Sequence, residues 1–144
     1  MGDRAAVQAK VQEFLAASFR GVTLERNGYS IGHGSARCFV KVRESTEDGP
    51  IIINITAPLL FDVPATPALY EYIALHADDY VFGHLSALRA EDADKVHIYF
   101  THQLLGDYLD HDELDYAVGA VMTTADDLDD TLQVQFGGAR FHES

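Results

Sequence analysis

From position 110 to 138 apolar residues return at helical spacing. Leu114, Val118, Val121, Met122, Ala125, Leu128 and Leu132 share one stripe and predict a long amphipathic helix. Asp110 is placed to accept from the first free backbone N–H groups, with Glu113 three residues on as the second half of a capping box. Leu109 and Leu114 bracket that cap as a hydrophobic staple, and Gly137 stands where a helix closes. Another helix is expected over 3–19, with Val7, Val11, Phe14, Leu15 and Ser18 on its inner face and Gly21 beyond its end. Thr66-Pro67, a hydroxyl cap followed by proline at the first helical position, opens a further one. It runs to about Asp79 and is expected to bury Leu69, Ile73, Ala77, Tyr72 and His76.

Alternation marks the strands. Over 36–44, Cys38, Val40 and Val42 alternate with Phe39, Lys41 and Arg43. Over 51–60, Ile51, Ile53, Ile55, Ala57 and Leu59 alternate with Ile52, Asn54, Thr56, Pro58 and Leu60. The polar stretch STEDGP joins them as a hairpin. Pro58 has no N–H to give, so its end of the strand is expected at an edge or outside the sheet. Residues 81–89 and 95–103 predict a second hairpin, with Val96, Ile98 and Phe100 facing one way and His97, Tyr99 and Thr101 the other. Upstream, 22–26 predicts a short strand before an Asn27-Gly28 turn. Tyr29–Ile31 then runs into Gly32-His33-Gly34, which is too glycine-rich for a strand interior and reads as a bend or bulge. The resulting order, α-β-β-β-α-β-β-α, predicts an α+β fold in one domain over 1–144: five antiparallel strands with helices packed on them.

Charge narrows the partners. Acids number 23 and bases 10, for a net charge of −13 and a pI near 4.6. No basic residue lies between Lys95 and Arg140, while nine acids lie from Asp107 to Asp130. Such a surface repels phosphate, so neither nucleic acid nor membrane is expected as a partner. At the start of the long helix the acids suit the dipole. Asp126, Asp127, Asp129 and Asp130 stand in its C-terminal half, where each costs about 0.3–1 kcal/mol close to the terminus. On a helical wheel Asp129 borders the apolar stripe, while Asp112, Asp115, Asp126 and Asp130 share a flank that is either simply solvated or faces a basic partner. The opening MGDRAAVQAK has no apolar signal core, Ala6 stands where myristoylation wants a hydroxyl, and no run is long enough to span a bilayer; a cytoplasmic location is expected. The one cysteine, Cys38, excludes an internal disulfide and reads as a buried structural thiol.

Candidate chemistry is sparse. The seven histidines (His33, His76, His84, His97, His102, His111 and His142) have no helical metal-ligand spacing, so no metal and no cofactor are expected. His84, after Phe82-Gly83, and His102, before the last helix, are the two most worth locating. The acidic run 107–115 lacks the central glycine of a calcium loop. No serine elbow, Cys–His pair, phosphate-binding glycine loop or carboxylate pair can be assembled, which gives no reason to expect an enzyme.

FGHL (Phe82–Leu85), THQLLGDYLDHDEL (Thr101–Leu114), TADDLDD (Thr124–Asp130) and FGGARF (Phe136–Phe141) together resemble the YbjN-type proteins of actinobacteria, which are similar in fold to type III secretion chaperones of the CesT/YopN-partner kind. The resemblance implies a non-enzymatic, cytosolic, chaperone-like domain, commonly a homodimer, that binds a peptide segment of a client; it brings no catalytic residues with it. Sheet edges and apolar grooves are the surfaces that take such segments. On the alternation pattern the contact positions are the exposed-face residues Phe39, Ile52, Asn54, His97 and Tyr99. A second reading is a regulatory or sensory adaptor acting through Asp126, Asp127 and Asp130. A third, a metal-dependent enzyme, is tested by metal analysis of the purified protein.

Overall fold

The structure, a computed structural model, describes residues 3–26, 28–33 and 36–141, so Asn27 of the expected turn, Gly34 and His142 lie outside the described residues. In chain order these form α1 (Arg4–Ser18), β1 (Thr23–Glu25), β2 (Gly28–His33), β3 (Ala36–Glu44) and β4 (Ile51–Pro64). There follow α2 (Pro67–His76), β5 (His84–Arg89), β6 (Lys95–Leu105), α3 (His111–Phe136) and β7 (Ala139–Arg140). The strands make one antiparallel sheet in the order β1-β2-β3-β4-β6-β5, with β7 also on β4. The α+β class and the helix order are as the patterns predict.

α3 forms for the reasons its sequence gives. The Asp110 carboxylate accepts from the Glu113 N–H at 2.8 Å, Leu109 and Leu114 are both buried, and Gly137 closes the helix at φ +82°. Six of the seven stripe residues are buried and Leu128 is half-buried. Asp129, expected beside the stripe, lies inside it at 3% exposure, because at 3.6 residues per turn it follows Ala125 and precedes Leu132 on the same face. α3 packs over β3, β4 and β6, and α1 leans on α3 and β3 through Val7, Val11 and Leu15. Ser18, placed by pattern on that inner face, is instead exposed and holds His111 at 2.6 Å, tying the end of α1 to the start of α3. α2 is capped by the Thr66 hydroxyl, which accepts from the Leu69 N–H at 3.2 Å. It ends at His76 and fully buries only Leu69; Tyr72, Ile73, His76 and Ala77 are half-buried because the helix covers the sheet margin near β5.

Three strand expectations need correction. β2 is a full strand, with Tyr29 and Ile31 buried against Val40 and Cys38, and with β7 it brings the sheet to seven strands and not five. Glycine is tolerated there because β3 comes close: a Cβ at Gly28 would lie 2.2 Å from the Val40 carbonyl oxygen. β7 is too short to carry any periodicity. β4 continues four residues beyond Leu60, with Pro58 inside it. The proline rule nevertheless holds locally, since β3 flanks β4 only as far as Thr56 and β7 begins only at Leu60. The register slips twice between Pro58 and Val63, which is why Leu59 and Leu60 are both buried and strict alternation fails. β5 starts at His84, later than the pattern suggested, and leaves Val81 exposed.

The buried side chains form one cluster between the helices and the inner face of the sheet. Cys38 lies in it, and burial pushes its thiol up to about 12. The folded protein is therefore expected to resist thiol-directed reagents at neutral pH and to react once denaturant is added, followed by absorbance with an aromatic disulfide. Rapid labelling without denaturant would contradict the burial.

Candidate functional site

All three helices pack on the inner face: α1 and α3 directly, and α2 through Leu69 in the core and Tyr72 against Phe136 of α3, ring centres 5.4 Å apart. The outward side chains of β3, β4 and β6 have no helix over them. The register lines them up in rows across the strands. Arg43, Ile52 and Leu105 form one row; Lys41, Asn54 and Gln103 the next; then Phe39, Thr56 and Thr101; then Pro58 beside Tyr99. Lateral hydrogen bonds satisfy the polar members: Gln103 donates to the Asn54 side-chain oxygen at 2.9 Å, and the Thr56 and Thr101 hydroxyls meet at 3.1 Å. What remains upward is apolar and aromatic surface with two cationic tips.

An aromatic group gathers at the Pro58 end. Phe61 stands edge-on to His97 at 5.1 Å and to Tyr99 at 6.3 Å, and Phe141 sits between Phe61 and Phe39 at 6.1 and 5.8 Å. His97 is held in place: its Nδ1 accepts from the Asp62 N–H at 3.1 Å, at a bulge where Asp62 has φ +56°. Burial pushes the Tyr99 hydroxyl above its ordinary range, so it stays a neutral donor at physiological pH. Beside this group lies a hollow of about 330 Å³ lined by Phe39, Lys41, Asn54, Thr56, Pro58 and Tyr99. Phe39 and Lys41 also border a second hollow of about 230 Å³ toward β1 and β2.

Of the residues singled out by alternation, Phe39, Asn54 and Tyr99 line one hollow and His97 adjoins it through Phe61. Ile52 is on the same face at its far end, beside Arg43 and Leu105. Asp126, Asp127 and Asp130 are not brought there. They stand on α3, behind the sheet, and Asp130 is bonded to Arg140 of β7. Lys41, Thr56 and Pro58 were within reach of sequence reasoning, since they share the parity of Phe39 and Asn54. Phe61 and Phe141 were not, because the bulge and β7 decide where they point.

Among the described residues the histidines do not gather at one point, although His84 lies near His102. His76 meets Asp79 at 2.6 Å, and His111 stacks on Phe14 at 5.0 Å. His84 is exposed, while His102 faces inward against Phe82 at 5.6 Å. Among the described residues no three His, Cys, Asp or Glu side chains come together as a metal site would require. His102 has a lowered pKa, from burial first and from nearby His84 second. A histidine lowered on folding favours the unfolded state once it is protonated. Stability is thus complete above its unfolded value of about 6.5 and falls as pH drops from there toward the folded value. His102→Asn is expected to flatten that part of the melting-temperature profile relative to wild type; parallel profiles would contradict it.

A larger hollow of about 720 Å³, bordered by Asp3, Lys10, Asp48 and Asp107, lies between α1 and the loop before α3; the outer sheet face differs from it in its aromatic lining. Against that geometry stands one comparison: the profile of TY-Chap1, described as T3SS (YopN, CesT) and YbjN peptide-binding chaperone 1, matches residues 4–144. The chain belongs to this family. TY-Chap1 is a peptide-binding chaperone family and not an enzyme family, and its match runs through every helix and strand described above. Comparison with curated proteins finds no match. No described helix is long and apolar enough to cross a membrane.

Proposed function

We propose that this chain is a non-enzymatic chaperone-like module that holds an extended peptide segment of a client protein across the outer face of β3, β4 and β6. The observation that carries the reading is the uncovered row structure of that face, with half-buried Phe39 and Tyr99 beside a hollow of side-chain size. Such a face suits extended chain, because successive client side chains fall every other residue into successive rows. Membership of a peptide-binding family supports it. In this reading the module works in the cytoplasm, needs no cofactor, and acts as a homodimer with a light-scattering mass about twice the 15.9 kDa of one chain. Affinity capture from the native cell with wild type and Tyr99→Asp, compared by mass spectrometry, tests it. Clients lost from the variant are the expected result. The same clients retained by Tyr99→Asp, but lost on charge reversal at Asp126, Asp127 and Asp130, would favour the adaptor reading instead.

A further inference from the structure

We infer that the segment this face takes is acidic, with aromatic or aliphatic side chains interleaved among its carboxylates; the inference rests on the peptide-binding reading above. The protein has 23 acids against 10 bases, and Glu25, which borders the second hollow with Phe39 and Lys41, already accepts from Ser30. From the Arg43–Ile52–Leu105 row to the Pro58–Tyr99 row, no outward position of β3, β4 or β6 carries a carboxylate. The charged groups there are Lys41 and Arg43, two residues apart on β3 and hence on one side of the strand. Neither has a carboxylate within 4.0 Å among the described residues. Arg37, next on the same strand face, is already committed: it donates to Ser30 at 2.9 Å, and Ser30 donates to Glu25 at 2.8 Å.

Lys41, Arg43 (which also donates to the Glu44 carbonyl oxygen at 3.5 Å) and the apolar rows therefore call for opposite features in one ligand. A carboxylate every second residue reaches Lys41 and Arg43, and apolar side chains reach the hollow beside Phe39 and Tyr99. Phosphate polymers fit worse, because every nucleotide adds charge that the −13 surface repels while two cations are there to receive it. At physiological salt, screening over about 8 Å leaves the local pair in control of an acidic peptide despite the net charge of the whole.

The test is selection from a random displayed peptide library on the wild-type chain and on the double variant Lys41→Glu/Arg43→Glu, in which exposed Lys41 and half-buried Arg43 both lie outside the buried cluster; a urea titration of the variant confirms that it folds. Wild type is expected to enrich Asp and Glu beside Phe, Tyr or Leu, and the double variant to enrich Lys and Arg in their place. The best acidic peptide should lose about tenfold in affinity on the double variant, and its Lys-substituted counterpart should gain there. Binders with no charge bias, or the same acidic bias on both proteins, would overturn this inference and leave the peptide-binding reading standing. An absence of binders to both folded proteins would overturn that reading as well. Preferential binding of a single-stranded oligonucleotide through Lys41 and Arg43 would overturn the inference in favour of nucleic acid.

Discussion

Phe100→Ala is expected to cost the fold about 3–5 kcal/mol. Phe100 has no exposed surface and sits on the inner face of β6, paired across the sheet with Ala57 of β4 on one side and Leu85 of β5 on the other. Its ring meets Tyr80 edge-on at 5.0 Å. Ala57 cannot swell into the space and β4 and β6 are locked by their ladder, so the site has little freedom to collapse; loss of transfer energy and loss of packing add. Domains of this kind hold about 5–15 kcal/mol, so the variant should keep at most a modest reserve. Urea titration with an unchanged slope and a much lower midpoint is the expected record. A loss below about 1 kcal/mol would mean that the ring is not part of the core.

The second large effect concerns binding. Phe39→Ala combined with Tyr99→Ala should reduce affinity for any selected peptide by about thirtyfold or more, as central aromatic anchors do in other interfaces. Both rings are half-buried on the outer face, and together with Pro58 and Thr56 they wall the hollow that a client side chain would enter. Because neither belongs to the buried cluster, stability should fall far less than for Phe100→Ala. Calorimetric titration beside urea titration separates the two outcomes. Unchanged affinity in a folded double variant would remove this face from the account.

Where an element buries one stripe over many residues, its sequence declares it. α3 and the β3–β4 hairpin are legible for that reason, and so is the face bearing Phe39, Asn54 and Tyr99, since a period of two leaves no choice of side once the inner residues are known. β2 was hidden by its glycines, of which Gly28 answers to a neighbour's backbone, a constraint set by tertiary approach and not by local propensity. β7 pairs through two residues, and its placement of Phe141 depends on the bulged end of β4. Asp129 shows the same limit: charge argued for solvent, and the helical period, which set the burial, placed it inside. The absence of acids from the outward rows of β3, β4 and β6 was spread over three strands far apart in sequence, so it became visible only through their register.

The helices occupy one side of the sheet, and in the proposed function the other side takes the client. Backbone amide spectra recorded as a selected peptide is titrated into the full chain test it most directly. Shifts concentrated at Phe39, Lys41, Asn54, Thr56 and Tyr99, with α3 unmoved, are expected. Shifts confined to α3 around Asp126, Asp127 and Asp130, with the sheet face silent, would contradict it.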